Sequence, residues 1–193
     1  MASRALRAWQ TRSRTVLDEL EAAHAVVGGA RRARAFARQQ INQAYVVLLA
    51  SQFQRFCRDL YDEAADQLTS HPVHGPLNPI LRNLLTTGRK LERGNANVGN
   101  IGADFEKLGI EFWDAVRNRT SANHDRQRKL DEMNGWRNAI AHQDFTRIGD
   151  GRTETVTIAQ VRRWRSACNA LAVEFDAVMR LYLQSLFGVA PWK

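Results

Sequence analysis

The sequence predicts an all-α protein, an antiparallel helical bundle with an extra N-terminal helix. Three observations carry this. Apolar residues recur three and four positions apart through most of the 193 residues. The joints between these segments are polar and rich in glycine, proline and asparagine. Helix-start chemistry stands at two joints, Asn78-Pro79 and Thr157 with Gln160 three positions on. No internal repeat or low-complexity segment interrupts the pattern.

The first helix is expected over residues 11–27, where Val16, Leu17, Leu20, His24 and Val27 share a face and Gly28-Gly29 ends it. His24 on that stripe reads as a packed histidine rather than a ligand. The second helix, residues 32–68, carries Ile41, Tyr45, Leu48, Leu49, Phe53, Phe56, Leu60 and Ala64 as one stripe. Its arginines Arg31, Arg32, Arg34 and Arg38 read as a solvated face, with an RNA-backbone contact as the alternative. His71 and His74 flank Pro72 with no cysteine or carboxylate to complete a ligand set, so no metal is expected there. Asn78 as N-cap and Pro79 open a helix whose apolar face is Ile80, Leu81, Leu84, Leu85 and Leu91. Residues 94–102 read as a loop, and 103–117 as a helix with Phe105, Leu108, Phe112, Trp113 and Val116 inward. The polar stretch 117–128 reads as a linker or as the exposed start of the next helix, which ends near His142 with Leu130, Met133, Trp136 and Ile140 on its apolar side. Residues 147–155 carry turn chemistry that suits a short hairpin. The last helix, 158–187, is capped by Thr157 and Gln160. Residues 1–30 are assigned to a basic helical arm and 31–193 to the bundle domain.

Composition bounds the function. Hydrophobic residues are 44% and charged residues 25% of the chain, enough for a packed core. No apolar run is long enough to cross a membrane, and no signal-like apolar stretch follows the N-terminal arginines, so a cytoplasmic protein is expected. Cys57 and Cys168 lie on apolar helix faces and read as buried free thiols. The net charge of +8 favours a polyanionic partner. It comes from 24 arginines against 4 lysines, which GC-rich coding would also produce. Arg117, Arg119, Arg126 and Arg128 are the candidate RNA-binding residues.

The chemistry concentrates at residues 136–142, where Arg137, Asn138 and His142 are the candidate catalytic residues. An arginine and a histidine five apart arise by chance about 0.6 times in a chain of this composition, and Arg119 with His124 is such a pair. Requiring asparagine directly after the arginine lowers the expectation to about 0.04, and only Arg137-Asn138 meets it. Asn138 and His142 are four apart and share a helix face, which suits an asparagine that orients the imidazole. Arg137 is about 140° round the helix from His142 and would reach the same cleft with its long side chain. Histidine can move protons near neutral pH, and arginine presents a charged planar fork to phosphate oxygens. One histidine does not readily serve as acid and base in a single turnover, whereas a symmetric dimer would supply two. The bland alternative is an arginine and a histidine at a helix C-terminus, where cations are favoured.

Arg137-Asn138-Ala139-Ile140-Ala141-His142 resembles the R-N-x-x-x-H signature of the HEPN superfamily (higher eukaryotes and prokaryotes nucleotide-binding domain). Residues 94–101 with 105–110 are similar to the loop-and-helix segment of its bacterial branches related to the RiboL-PSP and MAE types. The long second helix is similar to their central helix, and the resemblance spans residues 36–187. It implies an all-α bundle that forms a homodimer, with the two motifs meeting in a cleft. It also implies cofactor-free, metal-independent endoribonuclease activity leaving a 2′,3′-cyclic phosphate and a 5′-hydroxyl. Such proteins often act as toxins or in phage defence, sometimes held by an antitoxin protein. Many relatives carry an acidic residue near positions 51–54, where this chain has Gln52 and Gln54; a supporting polar role suits these. The competing expectations are a non-catalytic HEPN module that binds RNA or a partner protein, and a structural helical domain whose basic surface reflects genome composition.

Overall fold

The central element is α3, Arg32–Thr69, a helix of 38 residues against which most of the chain is arranged. The computed structural model of the chain describes residues 1–27, 32–70, 72–146, 148 and 155–192. Among them the architecture is all-α, with no strand. Tyr45, Leu49, Phe53, Phe56, Leu60 and Ala64 of α3 are buried, as the sequence stripe predicts. Each large side chain removed from water contributes about 1.5–3 kcal/mol, so this row alone fixes which face of α3 turns inward.

Two further helices complete the core. The helix Ala122–His142 (here α8) and the helix Ile158–Phe187 (α9) pack on each other and on α3. α9 runs in the same direction as α3: Asn42 Nδ2 donates to the Val156 carbonyl at 2.9 Å, and Phe53 meets Phe175 at 5.9 Å between ring centroids. α8 runs against both, since Trp136 faces Trp164 at 6.2 Å while Arg126 lies 3.9 Å from Glu174. The expected capping box forms at the start of α9, where Thr157 and Gln160 satisfy each other's backbone N–H groups.

The N-terminal segment belongs to the same core. α1, Arg4–Ala8, passes through a π-helical turn at Trp9–Ser13 into α2, Arg14–Val26, so the helix starts earlier than residue 11. Its first turn is held from three sides. Ser3 caps Leu6, Glu63 of α3 accepts from the Arg4 and Ala5 N–H groups, and the Ser3 N–H donates to Asp176 of α9. Leu6, Trp9 and Leu17 are buried, with Trp9 edge-on to Phe53. The arginines between them face outward and masked this apolar spacing in the sequence. Arg165 ties α9 to α2 and α3 by donating to Tyr45 Oη, Glu21 and Asp18. The Arg165 guanidinium holds the Asp18 carboxyl below its ordinary range. His24 is half-buried at the edge of α2, and burial followed by Arg38 and Arg162 pushes its pKa down.

The middle of the chain departs from expectation in three places. The 3-10 turn Pro72–Leu77 leads into α4, Asn78–Thr86, but Asn78 is already inside the helix and makes no cap; its Oδ1 is buried with no partner among the described residues. Leu81 and Leu85 turn inward, while Ile80 and Leu84 are exposed and Leu91 is buried in α5, Lys90–Arg93. The expected loop over 94–102 shrinks to residues 94–97, because Asn97 caps α6, Val98–Phe105, by accepting from the Asn100 N–H at 2.8 Å. Gly102 sits inside that helix for packing: a Cβ there would lie 3.0 Å from Trp113 Cδ1. The single helix expected over 103–117 is broken by the 3-10 turn Glu106–Leu108 and by Gly109, whose φ of 86° is left-handed, before α7, Phe112–Arg119.

Cys57 and Cys168 are free and buried, and burial pushes both thiols above their ordinary range. Among the described residues no helix is long and apolar enough to cross a membrane. The Gly28-Gly29 stop, Arg31, the side chain of Arg32, the His71/His74 pair and the hairpin over 147–155, apart from Ile148 and Thr155, lie outside what is described.

Candidate active site at the C-terminal end of α8

α8 is amphipathic around residues 134–142. Trp136, Ala139 and Ile140 are buried, with Trp136 packed against Trp164 and, at 6.3 Å, Phe145. The opposite stripe, Gly135, Asn138 and His142, is exposed. The spacing of three and four that puts the tryptophan inward therefore puts the asparagine and the histidine outward together. Gly135, Asn138, Ala139 and His142 line a cleft of about 430 Å³ together with Asp144 and Ile148.

The end of the helix fixes where His142 stands. Gln143 takes the left-handed conformation at φ 53°, the one non-glycine residue with positive φ among those described. That conformation lets the Asp144 N–H reach back to the Ala139 carbonyl at 3.0 Å and the Gln143 side chain donate to the Ile140 carbonyl at 2.7 Å. Holding a non-glycine residue there costs about 1 kcal/mol or more, offset by these bonds. The chain then turns sharply, and Asp144 accepts from the Thr146 N–H and hydroxyl at 3.1 and 2.7 Å. The chain reversal places Asp144 in the same cleft as His142.

Arg137 is half-buried and donates from Nη1 to Asn138 Oδ1 at 3.2 Å. The hydrogen bond expected between Asn138 and the imidazole is absent. Asn138 Oδ1 instead accepts from Arg137 and from Asn95 Nδ2. His142 makes no hydrogen bond among the described residues. So the structure brings Asn138 and His142 to one cleft and attaches Arg137 to its wall through Asn138. Asn95, Gly135 and Asp144 are additions to the expected set. Gly135 was legible as the residue seven before His142, on the same stripe. Asn95 lies in the loop part of the 94–101 segment, where spacing assigns its side chain no partner, and nothing in the local sequence points to Asp144.

The loop that carries Asn95 is tightly held. Gln54 Nε2 donates to the carbonyls of Leu91 and Gly94 at 2.7 and 2.8 Å. Asn100 Nδ2 donates to the Asn95 carbonyl at 2.8 Å, and Asn134 Nδ2 to the Ala96 carbonyl at 3.0 Å. Gln54 thus holds the loop that carries Asn95, whereas Gln52 accepts from Ser13 Oγ and serves the N-terminal helices.

The four candidate RNA-binding arginines do not join the cleft. Arg126 and Arg128 stand about 24 and 21 Å up α8 from His142, counted along the helix axis. Arg119 and Arg126 both pair with Glu174, Arg117 with Asp114 and Arg128 with Asp125. They form a separate, internally paired group at the far end of the helix.

Searches of curated proteins and of solved structures return no match. A family model described as RiboL-PSP-HEPN matches residues 12–179. The match reaches further toward the N-terminus than residue 36, in keeping with the burial of Leu17 in the common core. With most of its length matched and an all-α fold that carries the R-N-x-x-x-H motif at the end of α8, the chain belongs to the RiboL-PSP-HEPN family.

Proposed function

We propose that the protein is a metal-independent endoribonuclease acting as a homodimer, with Arg137, Asn138 and His142 of each copy in a shared cleft. The observation that carries this reading is the stripe Gly135, Asn138, Ala139 and His142 lining one cleft, with the Arg137 guanidinium hydrogen-bonded to its Asn138 wall. These groups match the needs of RNA cleavage. One imidazole takes the proton of a ribose 2′-hydroxyl as O2′ bonds to phosphorus. The P–O5′ bond breaks, and a second, protonated imidazole gives its proton to the departing O5′. The products are a 2′,3′-cyclic phosphate and a 5′-hydroxyl, with no net gain or loss of protons. Arg137 supplies fixed positive charge to the equatorial oxygens of the five-coordinate phosphorus, where it is most effective. Two histidines are required, and a two-fold axis through the cleft supplies the second from an identical chain.

Family membership and the charge of +8 support RNA as the polyanion. A toxin or phage-defence role, with an antitoxin protein as a silencing partner, is the biological setting proposed on the same basis. The test is cleavage of RNA by the purified protein in EDTA. Cyclic-phosphate ends are expected, and His142→Ala is expected to abolish them while leaving the helical content intact. RNA that stays intact with the dimer present contradicts the enzyme reading. Salt-dependent RNA binding under those conditions would favour the non-catalytic module instead.

A further inference from the structure

We propose that Asn95 is a positioning residue of this cleft: through Asn138 it holds the Arg137 guanidinium in the orientation that engages a phosphodiester. The inference rests on the ribonuclease reading above. Arginine only donates hydrogen bonds, so the Asn138 atom facing Arg137 must be its carbonyl oxygen. Asn95 meets that same oxygen and must therefore present its NH₂ group. An amide whose oxygen is gripped by two donors has no favourable flipped state, because flipping would aim NH₂ at two donors. Asn95 thereby fixes the face that Asn138 offers to Arg137, and Asn138 limits where the long arginine side chain can swing.

The loop is built to hold Asn95 at that point. Its backbone is clamped by Gln54, Asn100 and Asn134. At Gly94 a Cβ would come within 2.8 Å of Asn100 Nδ2, so the absence of a side chain there lets the clamp close. None of these clamps uses the Asn95 side chain; the loop grips its carbonyl. The side chain is left for Asn138, 43 residues away in sequence. Removing it leaves the loop's own bonds in place, so a positioning role can be separated from a structural one.

The experiment uses the full-length protein with Asn95→Ala, Asn95→Asp, Asn95→Gln, Arg137→Ala and the double variant Asn95→Ala/Arg137→Ala. Two quantities are read: cleavage kinetics on a defined RNA, and the NMR order parameter of the Arg137 Nε–H group. In Asn95→Ala, kcat is expected to fall about tenfold to hundredfold, as misplacement of a reacting group by about 1 Å does, with KM little changed. Asn95→Asp, which cannot donate, is expected to behave alike, and Asn95→Gln, which keeps the donor, to recover part of the loss. Adding Asn95→Ala to Arg137→Ala is expected to lower kcat no further. The Arg137 order parameter is expected to fall in Asn95→Ala and Asn95→Asp. An Arg137 equally ordered in these variants and in the unaltered protein overturns the inference whatever the kinetics. Additive losses in the double variant overturn it as well. If the unaltered protein cuts no RNA while Arg137 loosens in Asn95→Ala, the positioning stands and the ribonuclease reading is what fails.

Discussion

Gly135 is a glycine that the fold itself does not require. It lies inside α8, exposed, with nothing within 4 Å of the Cβ it lacks. Neither packing nor backbone conformation demands glycine there, and glycine inside a helix is worse than alanine by about 0.5–1 kcal/mol. Gly135→Ala is therefore expected to stabilise the protein by about that amount in urea unfolding. Gly135→Leu should leave the fold intact but narrow the cleft and raise KM for RNA. Equal cleavage by the leucine variant would show that RNA does not pass over this face. The residue types of the site were legible in the sequence, since Arg137, Asn138 and His142 stand out by spacing. Their hydrogen bonds were not. Spacing of four suggested that Asn138 serves the imidazole, but a side chain from a distant loop competes for the same oxygen. Local spacing contains no information about that competitor.

At the scale of elements, α3 and α9 were legible because long apolar stripes and a capping box mark them, whereas α8 was legible from Leu130 onward and its polar start at Ala122 read equally as a linker. The region 94–119 was not, because its glycines serve opposite purposes. Gly102 lets α6 approach Trp113, and Gly109 breaks the helix that follows. Composition does not distinguish a packing glycine from a breaking one. Asp104 is the anchor of this region. It is buried, and its two oxygens accept from the Lys90 and Leu91 N–H groups at 2.7 and 2.8 Å, capping α5 just ahead of the Asn95 loop. Asp104→Ala strands both donors and is expected to cost about 1–3 kcal/mol in urea unfolding. A loss below about 0.5 kcal/mol would mean that α5 finds other partners.

For the whole molecule, one core joins the N-terminal helices to α3 and α9, so the chain is expected to unfold with a single cooperative transition. The two thiols report on it. Burial holds Cys57 and Cys168 in the protonated form, and the thiolate is the reactive species. Both are expected to resist a thiol reagent at neutral pH until the urea concentration that unfolds the core. Labelling of either cysteine well before that point would reveal local opening of α3 or α9. The central claim is that His142 works as half of a pair, and the most direct test mixes unaltered protein with His142→Ala and lets subunits exchange. If each turnover needs two histidines, an equal mixture should retain about a quarter of the activity of the same total amount of unaltered protein, because only dimers of two intact copies cut. Retention of about half would mean that each His142 acts alone, and would contradict the account.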